Sequence, residues 1–254
     1  MCRVSDLLAI VFWIVTAALT AGAQEPAPPV DAEANRVLRE MSDTLSKVPR
    51  FALEAEETFD EIPDVGPRRE LTNVRSIVME RPNRAVADVV GETRNRTVWF
   101  DRGRLTVLDK EQNAYASLEA PPTVDAMLDW VAEEYGIEVP LSDLLFSDVY
   151  SVLMEGVIRG EYLGLQKAAG VSCHHLAFEQ ETIDWQIWID AETRLPRKLA
   201  IAYKTEPGEP RYEVVITKWN LSPTFPEGLF DFEPPEGAEK IELARVLGEK
   251  EEVQ

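Results

Sequence analysis

The chain has 254 residues, and its 46 aspartates and glutamates outnumber its 26 lysines and arginines, which gives a formal net charge of −20. This excess argues against nucleic acid or an anionic membrane surface as a partner, because both would repel the protein. The length suits one large domain or two small ones.

The first 23 residues have the features of a cleavable signal peptide. A basic residue, Arg3, precedes an apolar run from Leu7 to Leu19, and Ala21-Gly22-Ala23 then supplies a small-x-small cleavage pattern. The run is shorter than the ~20 residues that a membrane-spanning helix needs. An uncleaved N-terminal anchor is the alternative. We therefore expect an exported, periplasmic protein that begins with a proline-rich segment at residues 24–30.

The remainder is expected to form a single domain over residues 31–240, followed by a charged C-terminal tail at 241–254. Cys173 is the only cysteine left after cleavage, so no intramolecular disulfide can form and stability must come from a core. A division into two domains at Pro121-Pro122 is the alternative, although each half would then have few strands.

The first half of this domain combines one helix with several strands. Residues 31–48 carry apolar side chains at helical spacing and are followed by Pro49, which predicts an amphipathic helix. From residue 50 to residue 118 the sequence changes to short runs rich in β-branched and aromatic residues, separated by turn clusters. The turns are close together, so antiparallel hairpins are predicted.

A helical insertion is predicted next, over residues 123–154. Pro121-Pro122-Thr123 opens a helix that ends near Gly136. Residues 140–154 add short helical turns, with Ser142 and Ser147 as the expected N-caps.

Strand patterns resume from residue 157 to residue 219. The order of helix, strands, helices and strands predicts a mainly β protein with some α-helix. Its architecture is expected to be one strongly curved antiparallel sheet, a half-barrel, whose concave face the helices plug.

The sequence offers no legible catalytic or metal site. Cys173-His174-His175 is the only local cluster of metal-type ligands, but adjacent residues of a strand point to opposite faces and cannot grip one ion together. The same geometry separates Cys173 from His174 as a nucleophile and base. Carboxylates are so numerous that no catalytic pair stands out. We therefore predict no catalytic residues, no metal and no cofactor.

Large apolar side chains concentrate in the helical insertion. Packing in the core is one interpretation. The other is that they line a pocket for an acyl chain or another apolar ligand, as small β-barrels enclose a ligand. The candidates for lining such a pocket are Met127, Trp130, Leu145, Phe146, Tyr150, Trp99 and Trp185.

Several segments of the C-terminal half carry a resemblance: SCHHLAF at residues 172–178, DWQIWID at 184–190, TRLPRK at 193–198 and FDFEPPEG at 230–237. They resemble a family of predicted periplasmic proteins of unknown function. That family in turn is similar to the periplasmic lipoprotein carriers and outer-membrane lipoprotein receptors, the LolA/LolB-like superfamily.

The resemblance implies a half-barrel with helices on its concave side, and in the carriers that cavity takes the acyl chains of lipoproteins. The matched segments mark strands and turns, so they indicate fold and not the identity of a ligand. Arg50 and Arg81 lie in strand regions, but the resemblance assigns neither of them a carrier's functional arginine.

The first hypothesis is therefore a monomeric, non-enzymatic periplasmic binding protein. Its hydrophobic cavity would take a lipid, a lipoprotein acyl chain or a similar apolar or amphiphilic ligand. The alternative is an envelope regulatory or protein-interaction module of the same fold, which binds another envelope protein. An envelope hydrolase is the third interpretation.

Overall fold

The computed structural model describes residues 29–63, 65–92, 94–136 and 141–243. The predicted signal peptide, most of the proline-rich segment and most of the C-terminal tail lie outside the described residues. Within the described ranges, no helix is long and apolar enough to cross a membrane.

The described residues form twelve strands, three α-helices and one short 3₁₀ helix at Ser142–Leu145. The helices are α1 (Ala32–Ser46), α2 (Val124–Tyr135) and α3 (Val149–Met154). The strands are β1 (Arg50–Glu61), β2 (Arg69–Glu80), β3 (Arg84–Gly91), β4 (Asn95–Asp101), β5 (Arg104–Asp109), β6 (Ala114–Glu119), β7 (Arg159–Ala168), β8 (Val171–Glu179), β9 (Ile183–Asp190), β10 (Pro196–Tyr203), β11 (Arg211–Asn220) and β12 (Glu239–Lys240).

All twelve strands belong to one sheet, in the order β12-β6-β5-β4-β3-β2-β1-β11-β10-β9-β8-β7. Consecutive strands pair antiparallel from β1 to β6 and from β7 to β11, and β1 pairs antiparallel with β11 so that the two halves of the chain join. Only the short β12 runs parallel to its neighbour, β6. The sheet is curved but not closed into a barrel, which confirms the predicted half-barrel.

Helix α1 packs across the concave face, as its apolar spacing predicts. Side chains three and four residues apart share one side of a helix, and five apolar residues on that side are fully buried: Ala34, Val37, Leu38, Met41 and Leu45. They join one apolar core with the helical insertion and the inward side chains of the strands. The helices therefore fill the concave face.

The N-caps of the insertion differ from the prediction. Thr123 caps α2 by accepting a hydrogen bond from the Ala126 amide at 3.3 Å. The expected caps Ser142 and Ser147 are wrong, because Leu141 is the residue before the 3₁₀ helix and Asp148 caps α3. The Asp148 carboxylate accepts from the Ser151 amide at 3.1 Å. Ser147, the preceding residue, donates to the Asp125 carboxylate instead.

Candidate ligand-binding site

The helical insertion forms the cover of the concave face. Its buried side chains Leu141, Leu144, Val149 and Leu153 belong to the same core as the sheet and α1. The exposure of each is between 0% and 6%. The insertion thus presents its apolar side to the sheet and separates the interior of the half-barrel from solvent.

Six of the seven predicted lining residues lie at this interior or on its cover. Three are buried in the core, two are half-buried and packed against it, and one is half-buried in the loop after the 3₁₀ helix: Met127, Leu145 and Trp185; Trp130 and Tyr150; and Phe146, respectively. The Trp185 ring stacks on Phe178 with centroids 4.2 Å apart. Five of these residues therefore belong to one apolar core or pack against it, and Phe146 lies in the loop of its cover.

Trp99 lies elsewhere, which corrects its place in that set. Its neighbours in β4, Val98 and Phe100, face the core, and side chains alternate along a strand. Trp99 consequently points to the convex face, where its ring lies 5.1 Å from that of Phe232. Together with Tyr115 these residues border a separate cleft of about 400 Å³.

Arg81 fixes the position of the insertion. This half-buried side chain follows β2 and donates hydrogen bonds to the carbonyl oxygens of Leu145 at 2.7 Å and Phe146 at 3.0 Å. Its Nε is buried and has no hydrogen-bond partner among the described residues. Burial lowers the pKa of Arg81. The guanidinium is thus held in a poorly solvated place by two backbone carbonyls.

A second polar contact holds the same loop. The Asp125 carboxylate of α2 accepts from the Ser147 amide at 3.1 Å and from the Ser147 hydroxyl. Arg81 and Asp125 therefore approach the loop between the 3₁₀ helix and α3 from two different elements. The sequence singled out Arg81 without a role, because both contacts depend on tertiary packing.

Strand register arranges the concave face from β1 to β6 in rows. The first row is apolar and consists of Phe51, Met79, Ala85, Phe100, Leu105 and Leu118. The second is also apolar: Leu53, Ile77, Ala87, Val98, Val107 and Ala116. The third row alternates apolar and charged residues, with Arg75, Arg96 and Asp109 as its charged members: Ala55, Arg75, Val89, Arg96, Asp109 and Ala114. The apolar interior thus ends at a charged row.

The carboxylates of this charged region are fully engaged. Glu57, 2% exposed, accepts from the Tyr212 hydroxyl at 2.9 Å and from the Arg75 guanidinium. Burial raises the pKa of Tyr212, so the hydroxyl stays a donor. Asp109 accepts from Arg96 Nε at 3.2 Å and from two backbone amides of its own turn. No local motif indicates this row; its only sign in the sequence is one arginine at an inward position of each of two mainly apolar strands, Arg75 in β2 and Arg96 in β4.

The two histidines point to opposite faces, as adjacent strand residues must. His174 contacts the Tyr162 hydroxyl at 2.9 Å and an Arg194 nitrogen at 2.8 Å on the concave side. His175 contacts Gln186 at 2.8 Å on the convex side. Within the described residues, no three histidine, cysteine, aspartate or glutamate side chains are grouped to hold a metal ion. Burial raises the pKa of the Cys173 thiol, which favours its protonated form over the thiolate.

The fold and this region define a half-barrel protein with an apolar interior beneath a helical cover. The chain belongs to the DUF2092 family of predicted periplasmic proteins, whose model matches residues 34–244. The protein is periplasmic, and the resemblance stated from its C-terminal segments is confirmed. No curated protein matches the chain in sequence.

Several solved structures are similar to this chain in their backbone fold, at low sequence identity. The lipoprotein LppX of Mycobacterium tuberculosis is 9% identical, with a TM-score of 0.44 over 76% of this chain and 98% of LppX. A LolA superfamily protein of Nitrosomonas europaea is 8% identical, with a TM-score of 0.36 over 78% and 96%. A chain of the MucA/MucB complex of Pseudomonas aeruginosa is 13% identical, with a TM-score of 0.45 over 80% of this chain and 62% of that one.

Proposed function

We propose that this protein is a monomeric, non-enzymatic periplasmic binding protein for a lipid, a lipoprotein acyl chain or a similar apolar ligand. The ligand would lie between the sheet and the helical insertion, beside Met127, Leu145 and Trp185. One observation carries the proposal: a cover whose buried side is apolar is attached at its loop by the polar contacts of Arg81 and Asp125.

Opening the cover has a cost that an apolar ligand offsets. Exposing a buried leucine such as Leu144 or Leu145 to water costs about 1.5–3 kcal/mol. An acyl chain that takes the place of those side chains keeps the apolar surface away from water. The closed form is then favoured when the protein is empty, and ligand binding shifts the population towards the open form.

Arg81 sets how readily the cover opens. Each hydrogen bond from its guanidinium to a carbonyl contributes about 1.5–3 kcal/mol, because the donor is charged. Substitution Arg81→Met keeps an unbranched apolar side chain about as long as the arginine stem and removes both bonds. We expect faster hydrogen exchange in residues 141–154 of the variant and stronger binding of the fluorescent apolar probe bis-ANS.

The matched control is Arg69→Met, which removes an exposed arginine whose contact is Glu61 at 3.5 Å. Native mass spectrometry of protein purified from its own host tests occupancy directly. A co-purifying lipid that competes with bis-ANS supports the proposal. Empty protein that gains neither probe binding nor exchange on Arg81→Met substitution would contradict it.

A second candidate function is protein interaction in the envelope, and the edge strand β7 favours it. β7 ends the sheet, and Ile158, Leu163 and Leu165 beside or within it are 55%, 43% and 60% exposed. Residues 29–31 pair with this edge at Gly160, and the stretch beyond Tyr162, with its apolar side chains, could accept a strand from a partner. A photo-crosslinking residue at position 165 should capture one defined envelope protein, and one at the exposed Val65 should not. Equal capture from both positions would argue against this function.

A further inference from the structure

The charged region around the third row of the concave face has one cation that its carboxylates do not neutralise. Arg75 pairs with Glu57, and Arg96 pairs with Asp109. Among the described residues, Arg94 has no carboxylate within ion-pairing distance. The cluster therefore has three guanidinium groups for two carboxylates, on a chain whose net charge is −20.

Arg94 stands at the rim of this cluster. It occupies the turn between β3 and β4, where its carbonyl accepts from the Gly91 amide at 2.8 Å, and its side chain is exposed. Partial burial lowers the pKa of Arg94 first, and the charges of Arg96 and Arg75 lower it further, while Glu57 acts in the opposite direction without reversing the shift. An anion placed here would relieve the repulsion among the three guanidinium groups.

The distance between the rows matches the shape of an amphiphile. Each row is two residues further along its strand, which is about 7 Å. An anion at Arg94 and Arg96 would therefore place its first carbon atoms over Val98 and Ile77. The rest of a chain would continue towards the first row and the helical insertion.

We infer that the ligand of the concave face is an amphiphile with an anionic head group, a phosphate or a carboxylate, bound by Arg94 and Arg96. Its chain follows the apolar rows, so this inference rests on the proposed function. Guanidinium groups suit either anion because they donate parallel hydrogen bonds to two oxygens. The negative charge of the whole protein repels an anionic surface, but salt screens it beyond about 8 Å and leaves a local contact intact.

Two amphiphiles with the same chain test the head group: dodecyl phosphate and the uncharged dodecyl maltoside, compared by calorimetry at low salt. We expect dodecyl phosphate to bind roughly tenfold or more tightly, as one charge-assisted contact allows. Arg94→Gln should remove that preference, and Arg94→Lys should restore part of it. Added salt should weaken the binding of dodecyl phosphate more than that of the maltoside.

The control Arg104→Gln removes an equal charge from β5, at a position that faces the convex side, and should leave both affinities unchanged. Inorganic phosphate alone is the remaining arm. If it binds as tightly as dodecyl phosphate, the site is one for free anions and the inference is wrong. Equal binding of both amphiphiles refutes the head-group inference but leaves the proposed function standing. If neither amphiphile binds, the proposed function fails as well.

Discussion

Acidification should destabilise the protein through its two histidines. His174 lies against Arg194, with Arg36 also nearby, and its pKa is lowered by burial first and by these guanidinium groups second. Glu33 and Glu40 of α1 act in the opposite direction but do not reverse the shift. A proton on His174 would place two positive charges within hydrogen-bond distance, at the contact that links β8 to the turn before β10.

The pKa of His175 is lowered by burial and by Lys198, while its hydrogen bond with Gln186 opposes the shift. Its ring is also stacked on Trp188, with centroids 4.1 Å apart. Both histidines therefore bind protons less readily in the folded protein than in the unfolded chain. Stability should be unaffected by them above pH 6.5, their ordinary pKa, and should fall as the pH drops below it.

Linkage limits the size of this effect. Each histidine adds a slope of at most about 1.4 kcal/mol per pH unit, or about 2.7 for both. Urea unfolding followed by tryptophan fluorescence between about pH 5.5 and about pH 7.5 measures the slope. The chain has only two histidines, so the double variant His174→Gln/His175→Gln should lose this pH dependence of the unfolding free energy. A flat wild-type profile, or an unchanged slope in the double variant, would refute the reasoning.

Three further substitutions test the core and the buried polar cluster by chemical unfolding. Met41→Ala on the buried side of α1 should cost about 2–5 kcal/mol, because it leaves a cavity in the core; a cost below 1 kcal/mol would contradict that packing. Tyr212→Phe removes a donor from buried Glu57 and should cost about 1–3 kcal/mol, with no loss expected if Glu57 were solvated. Gly91→Ala would place a Cβ 1.8 Å from Asn73 Oδ1, so a clear loss of stability is expected, and a neutral result would show that Asn73 lies elsewhere.

The fold could be predicted because its signals are local. The helical spacing of residues 31–48 and the closely spaced turns of residues 50–118 are readable one segment at a time. The pairing of β1 with β11 is different, because it joins strands about 160 residues apart and depends on the curvature of the whole sheet. One continuous sheet was predicted only from the resemblance and from the apolar helical insertion, which needs a concave face to pack against.

The candidate site could be predicted only where its signals are local. The apolar insertion was visible as composition, but the hydrogen bonds of Arg81 join residues 64 and 65 positions apart and have no local pattern. Trp99 was placed in the wrong set because Val98, Trp99 and Phe100 are all apolar, so alternation along β4 gives no sign of the inward face. Strand register, which a single sequence does not supply, resolves it.

The rows of the concave face connect these observations. In β2 the inward positions change from Asn73 and Arg75 to Ile77 and Met79 within six residues, and β4 repeats the change from Arg96 to Val98. Antiparallel register places Arg75 and Arg96 at the same level on either side of Val89 of β3, so the two local changes lie at one height of the concave face. Packing alone would favour apolar residues throughout, since burying a charged network costs free energy that a well-packed apolar side chain avoids. Two arginines at one level of an otherwise apolar face, on the strands either side of β3, are what the inferred amphiphile, apolar at one end and charged at the other, would require.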